Sequence, residues 1–515
     1  MSIITRSGGD FYGAPGGQAL PVLGGGRGER EGTGVSFWDG VLYNKAKIAE
    51  WEMRGLRKKA SKEELFSSVP VLRALTVMAV PTIISQLIVL VYNLADTWYI
   101  GLTDNPYMVA ASSLVATVFL MITGLSNLFG VGGGNLVVQL LGRRQEEEAR
   151  RVASVSLVMT AGTALVFSLL CLSFMDPLLR LLGASENTIG YARQYLIPVV
   201  IIGAVPTMLN NVMSSMLRNT GYSREAGIGV SLGGILNVAL DPLFMFLLLP
   251  RGNEVLGAGL ATLLSNVISF FYYVVVYQKV RSATVLALPR RIERVERTSM
   301  RAIFSVGVPA AVNLLLYDLS NIVINKLASR HGDIELAAMW IILKIERLPL
   351  NTCIGICLAM MPLVAYNYAA GNRERMYAFF RTARRCGLAV AAVCIGLYWA
   401  FAPQIMQLFI RDAQTVALGT QYLRARCFAP AVMFLSFQMV HYMQALGKGR
   451  VSLGLSILRQ LGMNIPILFL LDHFFGMTGI IWAQLIADAL TAMISYLVYG
   501  RVKRSMEEAD GEAAR

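Results

Sequence analysis

The feature that most constrains this chain is a succession of about twelve apolar runs, each long enough to cross a bilayer. A backbone in lipid must satisfy its own hydrogen bonds, so runs of this length can only be helices. They fall near residues 74–101, 108–140, 152–175, 188–216, 226–249, 256–279, 302–328, 335–368, 383–407, 416–446, 451–472 and 477–501. With 55% hydrophobic and 15% charged residues over 515 positions, the composition is that of a polytopic membrane protein. The net charge of +14 does not point to nucleic acid, because Lys and Arg collect in short loops on alternate sides of the spans. Arg143, Arg144, Arg150 and Arg151 carry them, as do residues 279–301 and 373–385, whereas 102–106 and 472–475 have none. This bias predicts a multi-pass protein of the inner (plasma) membrane with both termini cytoplasmic.

An internal repeat organises the spans. Val80-Pro81 matches Val308-Pro309 at an offset of 228, and Gln194-Tyr195-Leu196 matches Gln421-Tyr422-Leu423 at 227. Val230-Ser231-Leu232-Gly233 matches Val451-Ser452-Leu453-Gly454 at 221, and Val276-Tyr277 matches Val498-Tyr499 at 222. Six spans per half bring both halves into the membrane from the same side. The predicted fold is therefore all-α, with two six-helix lobes related by a parallel pseudo-two-fold axis and a central site between them. The expected plan is a cytoplasmic tail over residues 1–65, lobes over 66–285 and 286–505, and a short tail over 506–515. Residues 1–35 lack apolar periodicity and are expected to be disordered, while Ser36–Lys59 reads either as an interfacial helix or as unstructured tail.

Against this apolar background the acids stand out. An ionised Asp at mid-bilayer costs about 2.5–3.5 kcal/mol on insertion scales, so a span that keeps one usually turns it toward a cavity. Asp96 lies near the end of the run Pro81–Gly101, with Asn93 three residues before it on the same face. Asp241 lies in the fifth span with Asn237 one turn before it, and Pro242 follows, freeing the Val238 carbonyl from its helical donor. Helix rise puts Asp96, Asp241 and Thr262 at depths of roughly 8, 12 and 9 Å below the outer surface, in one layer, with Asn237 a turn deeper. Two carboxylates, an amide and a hydroxyl are an all-oxygen set suited to a hard cation such as Na+. The set equally suits H+, because two acids buried side by side resist both being charged.

The repeat gives these acids no counterparts: Asp96 maps to Ile324 and Asp241 to Gly462, although Asn93 maps to Asn321. Ion chemistry is therefore expected in the first lobe. In the second, Asp318 and Lys344 lie at similar depth and are expected to pair, as are Arg459 and Asp488. Asn93, Asn321, Asp318, Lys344 and Glu346 are candidates for lining the cavity, Glu346 alternatively for pairing with Arg347 or with another span. Five glycines between Gly124 and Gly134 suit close helix packing, and Cys353 and Cys357 read as packing residues on one helix face. With three histidines, no phosphate-binding loop and no nucleophile–base constellation, the chain is not read as an enzyme, and no cofactor beyond the coupling ion is expected.

YNLADTWYIG at 92–101, LNVALDPLFMF at 236–246, GAGLAT at 257–262, MPLVAYNYAAGN at 361–372 and ILRQLGMNIPILFLL at 457–471 together resemble the multidrug and toxic compound extrusion (MATE) transporters. The resemblance covers about residues 66–505. It implies a twelve-helix, two-lobe antiporter that expels amphipathic, often cationic compounds against entering Na+ or H+. It also implies that Asp96, Asn237, Asp241 and Thr262 form the coupling site seen in the DNA-damage-inducible branch. The NorM branch instead carries acids in spans seven and ten; here Asp318 is slightly displaced from the first, and no acid lies near Pro430. The expected partners are small-molecule substrates and the lipid bilayer, with no nucleic acid, and the expected state is a monomer. A lipid-linked precursor flippase of the same superfamily and a non-transporting receptor or scaffold are the alternatives.

Overall fold

In the computed structural model, which describes residues 62–288 and 295–513, every regular element is a helix. The tail readings over residues 1–61 lie outside the described residues. A short helix α1 (Lys62–Ser67) precedes α2 (Val71–Gly101), α3 (Pro106–Gly142) and α4 (Glu146–Ser173). After the short α5 (Met175–Leu181), α6 (Ile189–Leu196) runs through π-helical residues Ile197–Ile202 into α7 (Ala204–Asn219), bent by 50°. The first lobe closes with α8 (Ser223–Pro242), extended by π-helical Leu243–Leu248, and α9 (Glu254–Val280). The second lobe holds α10 (Arg297–Ala328), α11 (Asp333–Ala369), α12 (Arg373–Gln407), α13 (Ala413–Arg426) and α14 (Ala429–Ala445). It ends with α15 (Gly449–Ile457), which passes through π-helical Leu458–Asn464 into α16 (Ile465–Ala513).

Among the described residues, nine stretches are long and apolar enough to cross a bilayer, and the bent pair α6–α7 makes a tenth. The stretch Gly449–Glu512, at 64 residues, is far longer than the roughly 20 residues one crossing needs. It breaks at Gly476, whose φ of 57° is left-handed, so it makes two passes. α13 and α14, 14 and 17 residues long, lie end to end and together have the length of a further pass. Leu165, Leu169, Phe271, Val393 and Leu497 point outward with more than half of their surface bare, as lipid-facing side chains do.

Each lobe carries its own core. Met108, Ala111, Val115 and Val118 of α3 pack with Leu196, Val200 and Met208 in the first lobe. Ile324, Leu327 and Ala328 of α10 pack with Ile480 and Ile481 in the second. These single-lobe cores occupy the end of the molecule away from the Lys/Arg-rich loops. Near those loops the lobes meet. A Cβ on Gly307 of α10 would run into the Leu128 carbonyl of α3, and one on Gly132 would run into the Ile303 carbonyl, so only glycine allows the two backbones this close. Asn135 Nδ2 donates to the Gln444 carbonyl at 2.9 Å and Gln139 Nε2 to the Ala445 carbonyl at 2.8 Å, both across the lobes. α1 adds a strap. It leads directly into α2 of the first lobe but buries Phe66 against Tyr366 of the second. Arg375 Nε and Asn367 Nδ2 donate to the Phe66 carbonyl at 2.8 and 3.1 Å, and Arg375 Nη2 donates to the Val69 carbonyl at 2.5 Å. The lobes are thus closed on the basic face.

Candidate functional site

Helix ends and π-helical turns position the first-lobe cluster. Asp96 sits on the last turns of α2 and Asp241 at the end of α8, while Thr262 lies near the start of α9. At 1.5 Å per residue all three lie roughly 8–12 Å inside the face opposite the basic loops. Pro242 has no N–H to give the Val238 carbonyl, and the chain after it widens into the π-helical turn Leu243–Leu248. Asp241, the residue just before that proline, is wholly buried.

Asn237 organises the cluster. Its Nδ2 donates to Asp241 Oδ1 at 3.1 Å and to Thr262 Oγ1 at 3.2 Å, tying α8 to α9. Asp96 joins through a residue that nothing in the sequence marks as part of the site. Tyr195, on the last turn of α6 before the π-helical segment, donates its hydroxyl to Asp96 Oδ2 at 3.3 Å. Tyr195 belongs to the repeated Gln-Tyr-Leu triplet, but a tyrosine in an apolar span carries no signal of where its hydroxyl points.

Two carboxylate oxygens, Asp96 Oδ1 and Asp241 Oδ2, are sealed from solvent with no donor at all. Among the described residues, no Lys, Arg or His forms an ion pair with either acid. An ionised carboxylate buried with one oxygen unmet and no counter-charge is strongly disfavoured, so the cluster is suited to taking up positive charge from outside the chain. Oxygen ligands from Asp96, Asn237, Asp241 and Thr262 are the right chemistry for H+ or a hard monovalent cation.

The remaining candidates separate from this cluster. Asn93 is exposed, and its Nδ2 donates back to the Val89 carbonyl at 2.8 Å. Asn321 is half-buried, with its Nδ2 sealed and without an acceptor. The expected Asp318–Lys344 pair does not form: the charge that acts on Asp318 is Arg347, and Lys344 lies over the Trp340 ring at 4.8 Å. Equal depth suggested the pair, but α10 packs mainly on α3 and α15, and α11 on α2 and α12, so the two helices have little contact with each other. Glu346, open to lining the cavity or to pairing with a basic residue, takes the second course: Arg426 of α13 holds it through Nε–Oε1 at 2.8 Å and Nη2–Oε2 at 2.9 Å. Arg426 is 2% exposed and would otherwise be a bare buried charge. Arg459 and Asp488 do pair, at 2.6 Å. Cys353 and Cys357 pack against Phe434, and all six cysteines are free thiols.

Comparison with known proteins agrees with the two-lobe fold. The MatE family model matches twice, over residues 81–243 and 309–470, which together exceed half the chain and repeat the offset seen within it. The multidrug export protein MepA of Staphylococcus aureus is 28% identical over 433 residues, spanning 84% of this chain and 94% of that protein. Its namesake from Staphylococcus haemolyticus is 28% identical over 435 residues, with the same shares covered. Among solved structures, an outward-facing multidrug resistance MATE family transporter of the MOP superfamily superposes with a TM-score of 0.80. It is 25% identical, and the match covers 87% of this chain and 99% of that one. A MATE crystal structure in complex with MaL6 superposes at 0.82, with 24% identity, over 88% and 100% of the two chains. With one copy of the family domain in each six-helix lobe, this chain belongs to the MatE family of multidrug and toxic compound extrusion transporters.

Proposed function

We propose that this protein is a secondary active antiporter that exports amphipathic, cationic organic compounds in exchange for H+ or Na+, with Asp96, Asn237, Asp241 and Thr262 as the coupling site. The observation that carries this reading is the pair of sealed, donorless oxygens on Asp96 and Asp241, in a lobe that offers them no counter-charge. Alternating access needs an ion that binds the two states of the protein with different affinity. A carboxylate pair supplies that difference when rocking of the lobes changes its hydration. Because the acids are coupled, their titration belongs to the pair and not to either residue. Tyr195 steadies Asp96 by its hydroxyl, and Asn237 holds Asp241 against Thr262.

The positive-inside bias orients the basic face to the cytoplasm, with both termini there and the protein in the plasma membrane as a monomer. Under that orientation the lobes are closed toward the cytoplasm, in keeping with the outward-facing relative. The acids favour cationic cargo over the phosphate-bearing lipids of a flippase, and a receptor would have no use for two unbalanced buried acids.

The test is efflux of a cationic dye by purified protein in vesicles, with Na+ and H+ gradients imposed separately. Asp96→Asn and Asp241→Asn keep shape and lose charge, so each is expected to abolish gradient-driven efflux while inserting normally. Wild-type rates in both variants would end the proposal. An impermeant thiol reagent that labels cysteines placed at 280–288 from outside intact cells would overturn the orientation.

A further inference from the structure

The corresponding passes of the two lobes, α8–α9 in the first and α15–α16 in the second, both carry a buried acid among amides, but they balance its charge differently. Around Asp241 and Asp96, the atoms left without partners include a carboxylate oxygen of each acid. Around Asp488 both carboxylate oxygens are engaged. Gln484 Nε2 donates to Oδ2 at 2.6 Å, and the Arg459 guanidinium reaches Oδ1 through Nε at 2.6 Å and Oδ2 through Nη2 at 3.4 Å. Asn464 Nδ2, at the end of the π-helical turn, donates to Gln484 at 3.2 Å, much as Asn237 reaches from the fifth pass to Thr262 on the sixth. Asp488 is wholly buried and Arg459 is 1% exposed, with its guanidinium 4.3 Å from the centre of the Phe437 ring.

We infer that Arg459 is a built-in counter-cation: it holds, on a covalent tether, the place beside a buried carboxylate that an exchangeable cation takes in the first lobe, and so confines cation exchange to that lobe. This rests on the coupling reading of Asp96 and Asp241. Arginine stays charged at every accessible pH and cannot leave, so the Asp488 site can neither release nor take up a cation as the lobes rock. Arg459 therefore sets how many cations enter per cycle, a role that a purely structural ion pair does not have.

The experiment measures equilibrium binding of radioactive sodium and proton uptake by the purified full-length chain in detergent. Arg459→Met is expected to bind one more cation per chain than wild type, as Na+ or H+, raising the stoichiometry from one to two. Arg459→Met/Asp488→Asn is expected to lose that extra cation. In an Asp96→Asn/Asp241→Asn background, Arg459→Met is expected to keep it, which separates this inference from the first-lobe reading. That reading fails on its own if Asp96→Asn/Asp241→Asn binds as much as wild type. Folded Arg459→Met that binds no more than wild type in either background overturns the inference. Should Arg459→Met be too unstable to assay, its melting temperature becomes the readout. Rescue by added sodium or by lower pH, absent in Arg459→Met/Asp488→Asn, supports the inference. Instability under all conditions, with the double variant stable throughout, overturns it.

Discussion

Replacing Gly307 by alanine is expected to pry the lobes apart on the basic face without unfolding either of them. The added Cβ would lie 2.7 Å from the Leu128 carbonyl carbon and 2.9 Å from its Cα, and both are backbone atoms that cannot swing aside. Restoring ordinary van der Waals spacing means moving α3 and α10 apart by roughly 1 Å along their closest approach. Overpacking of this kind costs about 1–3 kcal/mol. The cost falls only on the state in which the basic face is closed, so the closed population drops roughly 5- to 150-fold against the open one. Within α10 itself alanine is the better helix former by about 0.8–1.0 kcal/mol, so the melting temperature is expected to hold or rise slightly. The assay is pulsed electron paramagnetic resonance between spin labels at Gln145 and Lys448, in a background without native cysteines. A new, longer distance population is expected in Gly307→Ala. A distance distribution identical to wild type would refute the packing argument, and a collapsed melting temperature would show that the clash is absorbed by the fold and not by the lobe equilibrium.

Asn237→Ala removes both the 3.1 Å bond to Asp241 and the 3.2 Å bond to Thr262, and Thr262→Ala removes one neutral ligand; each is expected to slow dye efflux less than Asp241→Asn does. Glu346→Gln leaves Arg426 buried without its partner and is expected to destabilise by about 3–5 kcal/mol, read as a lowered melting temperature, with Glu346→Gln/Arg426→Met recovering most of the loss. Arg375→Ala frees the Phe66 and Val69 carbonyls from a charged donor, and hydrogen exchange over residues 62–69 is expected to speed up while the buried cores stay protected. At the start of α13, outside the membrane, the Thr415 backbone N–H and then its hydroxyl hold the Asp412 carboxyl below the usual carboxylate range. Because the folded value is the lower one, this cap is in force above the ordinary aspartate range and is lost as pH falls through the folded value. Asp412→Asn is expected to remove that acid-side change in the exchange of the first α13 amides.

The sequence alone determined this protein wherever one dimension carries the physics. Bilayer thickness turns an apolar run into a helix of known length, so the passes and the two-lobe repeat could be read directly. Helix rise then converts position into depth, and for that reason Asp96, Asp241 and Thr262 could be placed in one layer, with Asn237 joined to Asp241 by a single turn. What depth does not carry is which helices lie side by side and how each is turned about its axis, and only packing decides that. That is why Asp318 and Lys344, on helices that pack mainly on other partners, do not pair, and why Glu346 turns to Arg426 across from α13. It is also why Tyr195, a sequence-neutral tyrosine, completes the acid cluster from α6, while Asn93, on the same helix as Asp96, stays outside it. The closure of the lobes belongs to the tertiary structure as well, since Gly132 and Gly307 lie 175 positions apart in the sequence and acquire their meaning only when α3 and α10 are laid against each other.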